Sequence, residues 1–222
     1  MKHSISRKDA LKQLTLGAAA ITVGSTLSAC NPTESQASGK DQTAPTLKDL
    51  KGNVNHSACR WCYNDIPLEE LCDASKDMGL KAIDLLNPDE WDIAIDRGLE
   101  VSMSFGSSLG IPKGFNDPQY HAQLFQDYEA LIPQAAAKGL KRIICFSGNR
   151  NGLNDEAGLE NCAVGLEPVV KLAQKYNVQI VMELLNSKVN HPDYQCDTTP
   201  WGVQLVEKVG SDHFKLLYDI YH

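Results

Sequence analysis

The chain has 222 residues, of which 42% are apolar and 22% charged, so it can bury a sizeable core and its composition excludes a wholly disordered protein. The formal net charge is −7; residues 1–29 carry four basic side chains and one acid, a net of +3, so removing them takes −7 to −10. A domain this acidic has no electrostatic footing on nucleic acid.

The first residues read as an address. Lys2, Arg7, Lys8 and Lys12 make a basic start, and residues 14–29 are an uncharged run too short and too rich in Gly, Ala, Ser and Thr for a spanning helix. The run ends Leu27-Ser28-Ala29-Cys30, which resembles a bacterial lipoprotein box with Cys30 as the lipidated residue. Residues 6–12 resemble a twin-arginine export signal with Lys8 in place of the second arginine, which leaves the export route open between the twin-arginine and Sec systems. The expected organisation is a signal peptide over 1–29, a lipidated flexible tether rich in Ser, Thr, Gln, Gly and Pro over 30–50, and a catalytic domain over 51–222. Such a protein is exported to the cell envelope or periplasm and meets the membrane through its lipid alone. A cytoplasmic protein with an amphipathic start is the alternative.

From residue 54 onward strand and helix patterns alternate. Strands are expected over 54–59, 81–86, 99–105, 141–146, 178–182 and 214–219, and helices over 67–78, 88–97 and 120–138, then in a segment ending near Tyr176, and over 198–209. Three helices leave through the same exit, Met78-Gly79-Leu80, Arg97-Gly98-Leu99 and Lys138-Gly139-Leu140, each with a glycine able to take φ > 0 before the next strand. Strict β–α alternation implies a parallel sheet with right-handed crossovers. No G-x-G-x-x-G follows the first strand, which disfavours a dinucleotide fold. Functional groups fall at the C-terminal ends of several strands, the arrangement of a (β/α)8 TIM barrel. Six strands do not close such a barrel, so the expectation is a partial barrel lacking its last two βα units.

Beyond Cys30, six cysteines remain: Cys59, Cys62, Cys72, Cys145, Cys162 and Cys196. Cys59, Cys72 and Cys145 sit in apolar runs, where cysteine serves as a small buried hydrophobe. Cys59-Arg60-Trp61-Cys62 has redox or zinc spacing, but it follows a strand rather than opening a helix, and no second C-x-x-C completes a zinc site.

Glu183 and Asp219 each close an apolar strand, and the two strands are expected to be neighbours in the sheet. Parallel strands lie ~4.8 Å apart, so the two carboxylates can share a divalent cation, and hard oxygen ligands suit Mg²⁺ or Mn²⁺. The competing reading makes each a turn or capping carboxylate paired with a lysine.

The segments His56-Ser57-Ala58-Cys59-Arg60-Trp61-Cys62-Tyr63, Met182-Glu183-Leu184-Leu185-Asn186-Ser187-Lys188 and Leu217-Tyr218-Asp219-Ile220-Tyr221-His222 resemble the hydroxypyruvate isomerase family. That family belongs to the xylose-isomerase-like TIM barrels, which include ketose 3-epimerases, and the resemblance covers residues 54–222. It implies an aldose–ketose type isomerase that converts hydroxypyruvate to tartronate semialdehyde by metal-assisted enediolate proton transfer. Glu183 would be the first metal ligand and a proton carrier on one face of the substrate, and Asp219 the second ligand. Two further ligands would be expected beyond residue 222. His222 matches the histidine that contacts substrate. Lys188 would hold a substrate carboxylate or stand solvated in its loop. His56 would line the pocket or pack in the core, and Trp61 would wall the pocket or pack in the core with Tyr63. Asn149 and Arg150, in the fourth loop, carry no assignment. The partner is a small hydroxy-carbonyl compound or sugar; oligomeric state is left open. A ketose 3-epimerase or related sugar isomerase is the near alternative, and a non-catalytic sugar-binding lipoprotein or a thiol redox lipoprotein the distant ones.

Overall fold

A computed structural model describes residues 54–222. The signal peptide, Cys30 and the tether lie outside the described residues. Six strands, β1 (Ser57–Cys59), β2 (Ala82–Leu86), β3 (Glu100–Ser104), β4 (Arg142–Cys145), β5 (Gln179–Glu183) and β6 (Phe214–Leu217), alternate with five α-helices. The helices are α1 (Leu68–Asp77), α2 (Trp91–Ile95), α3 (His121–Ala137), α4 (Asp155–Tyr176) and α5 (Thr199–Val209), with 3₁₀ turns at Arg60–Tyr63 and Pro118–Tyr120. All five pairings are parallel and the sheet order is the chain order, β1 through β6. A doubly wound sheet reverses its strand order part-way, whereas a singly wound (β/α) barrel keeps it. Among the described residues no helix is long and apolar enough to cross a membrane.

Strand alternation divides the sheet into two faces. Ile143, Cys145, Ile180, Met182 and Phe214 are fully buried and belong to the core shared with Leu131, Leu166, Val169 and Leu205 on the helices. The residues between them face the other way: Asp84, Ser102, Gln179, Val181 and Lys215 share the inner concavity of the sheet. Side chains of a strand point alternately to opposite faces, and this puts Glu183, in phase with Gln179 and Val181, on the inner face. Cys72, Cys145, Cys162 and Cys196 are buried free thiols acting as small apolar side chains. Cys59, expected with them, is only half-buried, because it lies at the last residue of an edge strand.

Several boundaries are shorter than expected. The strand predicted from residue 54 starts at Ser57, with Val54 68% exposed. The helix predicted over 88–97 is only Trp91–Ile95, because Glu90 turns its carboxylate back onto the Asn87 backbone N–H (2.9 Å) and delays the start. The sixth strand ends at Leu217 rather than Asp219. There the Asp219 carboxylate accepts from the Tyr221 N–H (2.8 Å), an Asx turn that competes with strand extension.

The three repeated helix exits form as expected, with φ of +84° at Gly79, +76° at Gly98 and +81° at Gly139. Each lets the chain reverse from helix into strand within about two residues. A side chain at Gly139 would meet nothing within 4 Å, so replacing it isolates the backbone cost. Gly139→Ala is expected to lower stability by about 1–2 kcal/mol, read as a lower urea midpoint at unchanged slope; an unmoved midpoint would show that the exit does not need the left-handed conformation.

Candidate metal centre

Glu183 is the last residue of β5 and stands half-buried where the strand opens into its loop. Its surroundings are fixed by a fully buried tyrosine. The Tyr194 hydroxyl donates to the Glu183 carbonyl (3.0 Å) and accepts from the Ser147 N–H (3.0 Å), tying the exit of β5 to the exit of β4. The Ser147 hydroxyl in turn accepts from the Cys196 N–H (2.9 Å). Burial pushes the Glu183 carboxyl up to about 7, and the nearby Asp219 charge adds to the shift.

Asp219 arrives by register. Glu183 pairs with Leu217 across β5 and β6, so Asp219 lies two residues past the last paired position. Its turn then folds the chain back, with the His222 N–H donating to the Asp219 carbonyl (3.1 Å). The result is a cluster in which one ligand atom each of Glu183, Asp219 and His222 lie within 4.8 Å of one another. Two carboxylates crowded in a half-buried site repel each other, and a divalent cation between them removes that repulsion. The donor set and its spacing fit such an ion.

His222 is held by Asn186. The Asn186 backbone N–H donates to Nδ1 of His222 (3.2 Å), and its side-chain amide lies 3.0 Å from the same nitrogen. A ring nitrogen that accepts from a backbone N–H carries no proton, so the proton of the neutral ring resides on Nε2. The Asn186 Oδ1 meanwhile accepts from the N–H groups of Val189 and Asn190 (both 3.1 Å), closing the loop after β5. The His191 ring lies 5.4 Å from that of His222 and 6.4 Å from that of Tyr194.

The structure therefore brings Glu183, Asp219 and His222 together and leaves the other sequence candidates apart. Lys188 is exposed in the turn after Asn186. Trp61 stands on the 3₁₀ turn at the C-terminal end of β1, 60% exposed, on the same end of the sheet but on its opposite edge strand. His56 precedes β1; its carbonyl accepts from the Lys81 N–H ahead of β2, and its side chain is exposed. It thus lies at the N-terminal end of the sheet, away from Glu183, because the chain enters the strand there and does not leave it. Arg150 latches the neighbouring loop by ion pairs to Asp155 and to Asp197 (3.1 Å for the latter). Cys59, beside the exposed Cys62, is pushed up to about 12 by burial and then by Cys62; a thiol held protonated is a poor nucleophile.

Asn186 was visible in the sequence as part of an E-x-x-N pattern but without a role, and Tyr194 was not visible at all. Asn186 stood in view three residues after Glu183, but its partner is 36 positions away. Tyr194 reaches between two loops, which no local spacing reveals.

The xylose isomerase-like TIM barrel family matches residues 70–222. Among solved structures, an AP endonuclease, family 2, from Brucella melitensis is 17% identical with a TM-score of 0.67, over 76% of this chain and 70% of that one. D-psicose 3-epimerase with D-tagatose from Clostridium cellulolyticum H10 is 13% identical with a TM-score of 0.59, over 73% of this chain and 62% of that one. The IolI protein with a binding zinc atom is 13% identical with a TM-score of 0.63, over 76% of this chain and 64% of that one. The chain thus spans somewhat under two thirds of the length of the last two. No curated protein matches the chain. At these identities the likeness to solved structures is one of fold, and the family match covers most of the sequence. The chain belongs to the xylose isomerase-like TIM barrel family.

Proposed function

We propose that this barrel is a metal-assisted isomerase or epimerase that moves a proton next to the carbonyl of a hydroxy-carbonyl compound or sugar. The observation that carries the reading is the cluster of Glu183, Asp219 and His222 within 4.8 Å at the C-terminal ends of β5 and β6. Glu183 and Asp219 would hold a divalent cation, Mg²⁺ or Mn²⁺; a zinc atom in the structurally similar IolI supports a divalent ion at such a site. Bound there, the cation would polarise the substrate carbonyl and make the neighbouring carbon-bound proton acidic.

The chain's own residues do the rest. Glu183, besides holding the cation, would be the base that takes a proton from carbon and returns it; without a cation its carboxyl stands at about 7. His222, fixed by Asn186 with its proton on Nε2, offers a hydrogen bond to a substrate oxygen. Lys188, exposed in the adjoining turn, would reach a substrate carboxylate if the substrate carries one. In its three-carbon version the reaction is hydroxypyruvate to tartronate semialdehyde; with a larger substrate it is a ketose epimerisation or aldose–ketose isomerisation, a reading favoured by the resemblance to D-psicose 3-epimerase. The residues up to Cys30 support placing this activity in the cell envelope.

Turnover is to be measured on hydroxypyruvate and on a panel of ketoses, with Mn²⁺ and after chelation. Activity should require the metal, and Glu183→Gln should lower it by about 10²–10⁴-fold; metal-independent turnover would sink the proposal. Protons compete with the cation for Glu183. Mn²⁺ affinity by calorimetry should therefore weaken by about tenfold per pH unit below the carboxyl's value near 7. A raised carboxyl contributes stability that is complete below its unfolded value and lost as pH rises through about 7. The metal-free Glu183→Gln protein should accordingly melt higher than the parent at pH 8 and alike at pH 4. Asn186→Ala frees the His222 ring: it should cut kcat about tenfold or more while leaving Mn²⁺ affinity within twofold, and a matching loss of metal would assign Asn186 to the cation instead.

A further inference from the structure

A cavity of about 630 Å³ opens beside the carboxylate cluster, between the loops that follow β3, β4 and β5. Phe105, Ile111, Phe146 and Pro192 supply its apolar wall. The register of β4 on β5 pairs Cys145 with Met182, so Phe146 comes level with Glu183 on the adjacent strand. His191, also on the wall, has its ring 5.4 Å from that of His222. Phe146 and His191 thus carry the cavity wall up to the residues of the carboxylate cluster, which do not themselves line it.

Several polar groups on the wall are already engaged, which leaves the Asn149 amide and the His191 ring as its polar points. The Ser107 hydroxyl donates to the Asp127 carboxylate and accepts from the Leu109 N–H (3.2 Å). Asp193 accepts from the Asn151 N–H (2.9 Å), and the Asn190 Oδ1 accepts from the Asn186 amide (2.9 Å). Sugar hydroxyls placed against Phe105, Ile111, Phe146 and Pro192 would lose water without gaining partners, at a cost of about 1–3 kcal/mol each. Apolar groups placed there gain by burial.

The walls are also fixed in advance. The Asn149 N–H donates to the Pro112 carbonyl (3.0 Å) and the Phe115 N–H to the Phe146 carbonyl (3.3 Å). At Gly114 a Cβ would stand 2.3 Å from backbone atoms of Ser147 and Gly148, so the β3 loop lies directly on the β4 loop. Volumes of ~300–1,000 Å³ hold ligands of drug size, and a preformed apolar pocket spends little on ordering itself. A three-carbon hydroxy acid fills a small part of this space and has no apolar group to offer it.

We propose that this cavity binds an apolar substituent carried by the substrate, an aryl or alkyl group attached to a sugar whose reacting carbons sit at Glu183. The proposal rests on Glu183 being the reacting centre, and it selects the larger-substrate version of the reaction over the three-carbon one.

Calorimetric titration of the full chain with phenyl and methyl β-D-glucopyranosides, and with the matching galactosides, tests it. In at least one pair the phenyl glycoside should bind about tenfold or more tightly than the methyl. Phe146→Ala, which removes the wall, and Ile111→Trp, which fills the space, should each bring the ratio within about twofold, with melting curves showing both variants folded. Equal affinities in both pairs, no binding of any glycoside, or a preference that survives both variants would overturn the proposal. The outcome is separable from the isomerase reading: a phenyl preference without proton transfer on any sugar sinks the chemistry and keeps the cavity, whereas turnover with equal affinities sinks the cavity alone.

Discussion

Parallel pairing of β5 with β6 sets Glu183 opposite Leu217, and with that register fixed the Asx turn at Asp219 brings a second carboxylate and then His222 back toward the first. A one-residue slip would turn Glu183 from the inner face into the helix-facing core, where Met182 now stands fully buried. The apolar residues on the outer face of the two strands therefore do more than fill a core. By insisting on burial, Ile180, Met182 and Phe214 select the register that aims the polar residues between them inward.

Holding two carboxylates together against repulsion and partial burial calls for a rigid frame, and the loops supply it. Tyr194 and Ser147 join the exits of β4 and β5, Arg150 clamps the next segment through Asp155 and Asp197, and Asn186 closes the β5 loop while gripping His222. None of these residues presents its own charge to the proposed cation. They fix where the charged groups stand, so little reorganisation remains for the moment a ligand binds.

The same loop contacts create the cavity beside the site. Because backbone N–H and carbonyl groups of the β3 and β4 loops satisfy one another, and Ser107 and Asp193 are engaged locally, the surface turned to the opening is mostly apolar. The C-terminal end of the sheet is polar at Glu183 and apolar at Phe146, so neighbouring strands present two environments.

Local sequence by itself determined the alternation of six strands and five helices, the three glycine exits, and the two carboxylates placed where buried strands run out. These follow from side-chain periodicity and from the conformational freedom of glycine, which act within a few residues. It did not reveal that His56 lies where its strand begins, that Asp219 belongs to a turn and not to the strand, or that Asn186 holds His222. Nor did it expose the apolar cavity, whose wall is assembled from three loops far apart in the chain. Those features rest on hydrogen bonds and packing between segments separated by tens of residues, and only the tertiary structure decides which distant groups satisfy one another.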